Sequence, residues 1–183
     1  LHIAPEKGIY DALSARLAPE NYDVADINPK LYRFANQIQP IDLCDLSEQP
    51  SERYDLILHS HVLEHTPCSI AYTLGNLHRM LTLRGLHVFA VPFMNGSYDE
   101  CFLDIGGAER VRRFGQDDHV RRFGRDNLQD HLGKVVELPE TFDATSDFTQ
   151  EKLNEANIPK SSWSGFTSST VIILKKTDIR FRI

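Results

Sequence analysis

Short apolar segments alternate with helix-like apolar repeats along most of this 183-residue chain. The clearest segment is Tyr54–Ser60, which is apolar enough to form a strand buried on both faces, as parallel strands are. A helical stripe follows it at Ile70, Leu74, Leu77 and Leu81. This alternation predicts a doubly wound α/β fold, in which helices cover both faces of a parallel sheet.

Shorter elements complete the pattern. We predict further strands at 1–4, 22–27, 39–43, 86–91, 134–138 and 170–175. We predict further helices before Pro19, at 128–132 and at 149–156, where Asp147 and Gln150 would form a capping pair; Gly85 would end the helix that follows Tyr54–Ser60. The length fits a single domain over residues 1–183. The polar stretches 93–118 and 139–167 are expected to supply a lid and an acceptor pocket, because long loops in compact domains are commonly functional.

Composition excludes several classes of protein. The net charge of -6 argues against a large nucleic-acid footprint, which needs a basic face. No apolar run approaches the roughly 18 residues that span a membrane. The cysteines, Cys44, Cys68 and Cys101, lack CxxC spacing, which disfavours a zinc site or redox pair and favours a reducing cytoplasm. Because Leu1 is not Met and lies inside an apolar segment, we expect the complete protein to extend upstream.

The loops that follow the first strands carry polar residues where such sheets bind ligands. Asp26 ends the second strand and could accept hydrogen bonds from ribose hydroxyls, or could be a turn acid beside Asn28. Asp42 could face an adenine amine, whereas Asp45 is expected to be a solvated loop acid. The turn at residues 4–8 could present backbone N–H groups to a ligand, or could be an ordinary connection.

Histidines are the remaining candidates for chemistry. His59 and His61 would point to one face of a strand, but His65 falls beyond a turn and no carboxylate ligands accompany the three, so we predict no metal. His119 would overhang the reacting group, where a histidine can act as a general base. The structural alternative is that its neighbours, including Arg121, tie a lid to the sheet.

Several segments resemble class I S-adenosylmethionine-dependent methyltransferases, notably the group that includes the quinone-biosynthesis enzymes. The segments similar to that group's motifs are 54–57 (YDLI), 62–65 (VLEH), 77–81 (LHRML), 84–86 (RGL) and 91–92 (VP). Residues 1–6 (LHIAPE) and 113–121 (RFGQDDHVR) resemble the variant first motif "LhfAPE" and the "FGQ-x-DHVR" segment of a bacterial subset. The resemblance implies a Rossmann-like, seven-stranded sheet of order 3-2-1-4-5-7-6 with an antiparallel last strand.

The resemblance also implies S-adenosyl-L-methionine as cofactor and assigns roles by position. The implied cofactor-binding residues are Ala4, Pro5, Glu6 and Gly8 for the methionine part, Asp26 for the ribose, Ile27 and Asp42 for the adenine, and His59 and Ser60 for the pocket floor. The first motif departs from the pattern, which has an acid at His2 and glycines at Ala4 and Glu6. Glu6 could therefore crowd the cofactor or pair with its amino group.

These features predict a cytoplasmic bacterial methyltransferase (EC 2.1.1.-) acting on a small-molecule or lipid-like acceptor. A catalytically silent methyltransferase-like binding or scaffold domain is the alternative, and the variant first motif favours it. A nicotinamide-dependent oxidoreductase is a third class, and the missing GxGxxG at the first turn weighs against it.

Overall fold

A computed structural model describes residues 1–180 as an α/β fold around two sheets. The strands are β1 His2–Ile3, β2 Val24–Asp26, β3 Gln39–Pro40, β4 Tyr54–Ser60, β5 Leu81–Ala90, β6 Phe93–Met94, β7 Asp99–Glu100, β8 Arg121–Gly124 and β9 Val171–Lys175. The helices are α1 Lys7–Ser14, α2 Ile70–Met80, α3 Gly107–Phe114, α4 Leu132–Val135 and α5 Gln150–Glu155. None of these helices is long and apolar enough to cross a bilayer.

The main sheet has six strands in the order β3-β2-β1-β4-β5-β9. Its first five strands are parallel neighbours, and β9 pairs antiparallel with β5. The carboxyl ends of β1 to β4 therefore meet at one edge of the sheet. A second sheet, of order β6-β8-β7, lies in the chain between β5 and α4, so residues 93–118 are partly ordered into strands and α3 rather than forming one long loop.

The predicted seven-stranded order is wrong at one edge of the main sheet. Residues 134–138 do not form a sixth strand, because α4 occupies Leu132–Val135 and only Val136 bridges to Ile179. Leu132, Val135 and Val136 are all buried, a spacing that suits a helical turn as well as a strand. The helical turn therefore buries the same side chains and removes the expected strand.

Two local predictions also fail. Gly85 does not end the helix before it but lies within β5, where an added Cβ would stand 2.9 Å from the carbonyl oxygen of Tyr54. That close approach explains the glycine. Asp147 does not cap α5; the side chain of Thr149 accepts from the Lys152 amide instead.

The core lies mainly on one face of β4. Ile57 and His59 are fully buried, whereas Leu56 is 37% exposed. The prediction that β4 is buried on both faces is therefore wrong for its first half. The cause is the short α1, none of whose residues is buried, so that helix leaves the opposite face partly uncovered.

Candidate functional site

A cavity of about 460 Å³ opens at the carboxyl ends of the first four strands. This is the position at which open parallel sheets bind ligands. Its lining comes from the loops that follow β1, β2, β3 and β4, together with one residue before β8: Ile3, Ala4, Asp26, Ile27, Asn28, Leu31, Tyr32, Ile41, Asp42, Leu43, Cys44, His61, Val62, His65, Thr66, Pro67 and Asp118. The volume suits a nucleoside-sized small molecule.

Asp26 is held rigidly at the wall of this cavity. Its Oδ1 accepts from the Asn28 amide at 2.6 Å, and its Oδ2 accepts from the Tyr32 hydroxyl at 2.9 Å. The carboxyl is 8% exposed, and each oxygen has a further lone pair for a ligand. The turn-acid role considered from the sequence is therefore present, and the same side chain also lines the cavity.

The adjoining wall is apolar and open to solvent. Ile27 is 71% exposed and Leu31 is 69% exposed, although both are large aliphatic residues that normally avoid water. Asp42 lies on the same cavity, and its Oδ1 accepts from the Cys44 amide at 2.8 Å. An exposed aliphatic pair beside an acceptor carboxylate suits a flat, apolar ring that carries an amine.

Two cavity residues have left-handed backbone conformations without being glycine. Ala4 has φ +50° directly after β1, and His61 has φ +53° directly after β4. Such conformations cost about 1–2 kcal/mol for a residue with a Cβ, and they cluster at functional sites. The resemblance implies a glycine at position 4. Ala4 adopts a left-handed conformation that glycine favours, although the residue itself is not glycine.

The other implied cofactor residues lie outside the lining of the cavity. Pro5 and Gly8 lie in the turn and first helix residues beside it, and Ser60 ends β4. Glu6 does not fill the cavity, because its Oε2 lies 3.1 Å from Nε2 of His2. Burial opposes ionisation of Glu6, but hydrogen bonds from His2 and Ser60 outweigh it and lower the pKa of this carboxyl.

His59 belongs to a buried row of three histidines behind the cavity. Nε2 of His59 lies 2.9 Å from Nε2 of His87, and Nδ1 of His87 lies 3.2 Å from Nε2 of His78. Nδ1 of His78 faces the Lys176 carbonyl oxygen at 3.4 Å. Burial disfavours the charged form of all three rings. With neutral rings, Nδ1 of His78 donates to the Lys176 carbonyl oxygen, because a carbonyl only accepts. Nδ1 of His87 then donates to Nε2 of His78, and Nε2 of His59 donates to Nε2 of His87. Burial lowers the pKa of His59 to about 3 and that of His87 well below its ordinary value.

His119 is buried beside the loop that follows β4. Its Nδ1 donates to the Phe114 carbonyl oxygen at 3.1 Å, and its ring packs edge-on against His65 with centroids 4.7 Å apart. The neighbouring Arg121 is fully buried and donates to the carbonyl oxygens of Thr66 at 2.7 Å and Cys68 at 2.5 Å. Arg121 therefore ties the start of β8 to the loop between β4 and α2.

One group of possible metal ligands forms within residues 1–180. Glu64, His65 and His119 each offer one ligand atom within 4.8 Å of the others. The histidine group weighed from the sequence is not the one that forms, because His59 faces the buried row and His61 lies 3.3 Å from Oε1 of Glu64. The sequence did not indicate Glu64 as a ligand either. This residue lies in a short 3-10 turn, and a turn of three residues has no apolar periodicity that would show which side chain is buried.

A disulfide closes the cavity at the loops after β3 and β4. It joins Cys44 to Cys68, whose Cα atoms are 5.6 Å apart. The absence of CxxC spacing did not reveal this bond, because residues 24 positions apart in sequence meet where parallel strands end. Cys101 is free.

Sequence reasoning missed Tyr32, Leu31 and this disulfide as parts of the site. Leu31 and Tyr32 come five and six residues after Asp26, and the 3-10 turn at Pro29–Leu31 brings them back toward the cavity. The Asn28-Pro29 pair signalled a turn but not its direction.

Comparison with known proteins supports the fold and not a particular subfamily. The structure is similar to a SAM dependent methyltransferase from Archaeoglobus fulgidus, with 16% identity over 95% of this chain and 84% of that chain and a TM-score of 0.52. It is also similar to the putative methyltransferase in complex with the Haloferax volcanii Trm112 methyltransferase activator, with 14% identity over 90% and 72% and a TM-score of 0.51. No family model matches the sequence, and no curated protein matches it.

A partial similarity connects the chain to trans-methyltransferase CalH, solved in complex with SAH. It has 25% identity over 48% of this chain and a TM-score of 0.38, which is too low to support an argument. The chain spans 30% of the length of CalH. The two longer similarities and the sheet order together define a methyltransferase-like α/β fold with a mostly parallel central sheet.

Proposed function

We propose that this chain is an S-adenosyl-L-methionine-dependent methyltransferase (EC 2.1.1.-) that acts on a small-molecule or lipid-like acceptor. The observation that carries the proposal is the placement of Asp26, Ile27 and Asp42 around one cavity at the carboxyl edge of the sheet. The Asp26 carboxylate suits the ribose hydroxyls, the apolar side chain of Ile27 suits the adenine ring, and the Asp42 carboxylate suits the adenine amine.

The turn after β1 would hold the methionine part of the cofactor. Ala4 lines the cavity, and its amide donates to the Ala25 carbonyl oxygen at 2.9 Å, which fixes the turn next to Asp26. Glu6 is turned toward His2, so the space beside Ala4 stays free. Pro5 and Gly8 would shape this turn, and His59 and Ser60 would support the floor from beneath rather than touch the cofactor.

Methyl transfer needs little chemistry from the protein beyond alignment and exclusion of water, because the sulfonium already activates the methyl group. A base is needed only where the acceptor must lose a proton. His119 stays a candidate for that role, and the hydrogen bond from its Nδ1 leaves a lone pair on Nε2 to receive the proton. Residues 93–118 and 139–167 would supply the acceptor side.

The test is calorimetric titration of the protein with S-adenosylhomocysteine. We expect one site per chain, and Asp26→Asn should weaken binding by about tenfold to hundredfold, the value of a hydrogen bond to a charged group. Asp45→Asn is the matched control, because Asp45 is an exposed loop acid outside the cavity lining and should leave binding unchanged.

Two results would favour other functions. Absence of binding, or equal binding by Asp26→Asn, would favour a catalytically silent methyltransferase-like module. Binding of NADH in place of S-adenosylhomocysteine would favour an oxidoreductase. The bacterial origin and cytoplasmic location stay predictions, and the disulfide between Cys44 and Cys68 is an observation against the reducing cytoplasm.

A further inference from the structure

Two chain segments bring a carboxylate and two imidazoles together beside the cavity. Glu64 and His65 lie in the 3-10 turn Leu63–His65 after β4, and His119 precedes β8. The Val120 amide donates to the Glu64 carbonyl oxygen at 2.8 Å, which locks the two segments to each other. One ligand atom from each of the three side chains lies within 4.8 Å of the others.

The carboxylate of Glu64 is incompletely satisfied. The residue is 1% exposed, its Oε1 lies 3.3 Å from Nδ1 of His61, and its Oε2 has no hydrogen-bond partner within the described part of the chain. The guanidinium of Arg121 forms no hydrogen bond with Glu64 within the described residues: its Nη2 donates to backbone carbonyl oxygens, and its Nε and Nη1 also lack partners. A buried carboxylate oxygen without a partner is costly, and a bound cation would remove that cost.

Both imidazoles are oriented as metal ligands are. Nδ1 of His65 lies 3.3 Å from Oδ2 of Asp118, and Nδ1 of His119 lies 3.1 Å from the Phe114 carbonyl oxygen. The Phe114 carbonyl oxygen accepts the Nδ1 proton of His119, so the lone pair of that ring is on Nε2. The Asp118 carboxylate, at ion-pair distance from Nδ1 of His65, favours the same tautomer of His65. Histidines that bind metals nearly always donate their other nitrogen to a carboxylate or a carbonyl in this way.

We propose that Glu64, His65 and His119 form a binding site for a divalent transition metal such as Zn²⁺, which would take the Nε2 lone pair of His119 and so exclude that residue as the base considered above. Two imidazoles and one carboxylate are a donor set for Zn²⁺ and its neighbours, whereas Mg²⁺ and Ca²⁺ prefer oxygen ligands alone. His65 also lines the cavity, so a metal held by these three side chains would lie beside it and could act there as a Lewis acid. This site departs from the prediction of no metal made from the sequence.

The test is titration of chelator-treated protein with Zn²⁺, followed by calorimetry and by the urea midpoint. We expect one Zn²⁺ per chain, a higher urea midpoint in Zn²⁺, and no comparable effect of Mg²⁺. Asp118→Asn should weaken binding by about 10- to 100-fold, the usual loss when an outer hydrogen-bond partner is removed, and Glu64→Gln should weaken it by more. His131→Ala removes a half-buried histidine outside this group and is the control.

Glu64→Gln has nearly the same shape as the native residue, so it carries the test even if a histidine variant fails to fold. Zn²⁺ binding that is absent from the native protein, or equally tight in Glu64→Gln and His119→Ala, overturns the proposal. Binding of S-adenosylhomocysteine by the same metal-free sample is measured separately, so a failure of the metal site is distinguishable from a failure of the proposed function.

Discussion

The hydroxyl of Tyr32 donates to Oδ2 of Asp26 across 2.9 Å, and both side chains line the same cavity. The burial of Tyr32 and its bond to the Asp26 carboxylate raise the pKa of this phenol above its ordinary range. The phenol therefore stays protonated and remains a donor. Asp26 is oriented by Tyr32 before any ligand arrives, which is the condition for a carboxylate to bind a diol without loss of side-chain freedom.

Tyr32→Phe removes that donor and leaves the ring in place. We expect affinity for S-adenosylhomocysteine to fall by about fivefold to tenfold, because one hydrogen bond contributes about 1 kcal/mol. Calorimetric titration measures the change. Tyr54→Phe is the matched control, since Tyr54 donates to Asp23 at 3.0 Å near the start of β4 and away from the cavity. Equal losses in the two variants would contradict an orienting role for Tyr32.

The buried histidine row should make the protein sensitive to mild acid. Burial lowers the pKa of His59 to about 3, and burial lowers the pKa of His87 and of His78 too. The unfolded chain therefore binds more protons than the folded chain once the pH falls below about 6.5, the ordinary histidine pKa. The free energy of unfolding should fall between pH 6.5 and 4.5, by at most about 1.4 kcal/mol per pH unit for each histidine.

Urea unfolding at several pH values in that window measures this slope. His87→Gln should reduce this slope by the contribution of one histidine, because the variant lacks one of the buried imidazoles that resist protonation. Glu6 adds to the slope only at the acid end of the window, since its pKa is lowered from an ordinary value of 4.5. A native slope near zero would mean that the row accepts protons without cost, contrary to its burial.

The left-handed backbone at Ala4 predicts how substitutions at this position change the free energy of unfolding. Ala4→Gly should change the free energy of unfolding by less than about 1 kcal/mol, because relief of the φ +50° conformation is offset by the freedom that glycine has when unfolded. Ala4→Val should cost about 2 kcal/mol or more, because a branched side chain avoids this conformation. Chemical denaturation ranks the variants, and equal stability of the glycine and valine variants would contradict the assigned backbone.

Reduction of the disulfide should destabilise the protein. Cys44 and Cys68 are separated by 24 positions in sequence, and closing a loop of this size contributes about 3 kcal/mol. Denaturation with and without reductant should show that difference in the native chain and in Cys101→Ser, which retains both paired cysteines. Cys44→Ser should remove the difference. Persistence of the reductant effect in Cys44→Ser would assign it to another cause.

The alternation of strands and helices predicted a parallel sheet, whereas the order of its first five strands was expected only from the resemblance to class I methyltransferases. The strand predicted at 134–138 could not be excluded, since its apolar residues fit a helical turn equally well, and the helical bond from the Val136 amide to the Leu132 carbonyl oxygen is visible only in the structure. Gly85 was predicted to end a helix for a similar reason, because its role depends on a contact that the sequence does not show. A glycine ends helices often, but here the carbonyl of Tyr54 needs the space, and that contact joins segments far apart in sequence.

The site was predictable where a residue's role follows from the end of its strand. Asp26 and Asp42 come to the cavity for that reason, and Ile27 comes with them. His59 also ends near that edge, but its side chain points to the covered face of the sheet, toward His87. Whether the side chain of such a residue points to the cavity or to the core depends on which face of the sheet the helices cover. The pattern of residues in the sequence did not show which face that is.

The histidine row has a fixed direction because a single backbone carbonyl, that of Lys176, lies at its end. No ring in the row can change its tautomer alone, since its nitrogen would then place a lone pair against the lone pair of a neighbouring ring, or a proton against a proton. Any reversal must involve His78, His87 and His59 together, at the cost of the terminal bond. The three rings thus behave as one unit, and their proton resonances should all be sharp or all be broadened at the same temperature.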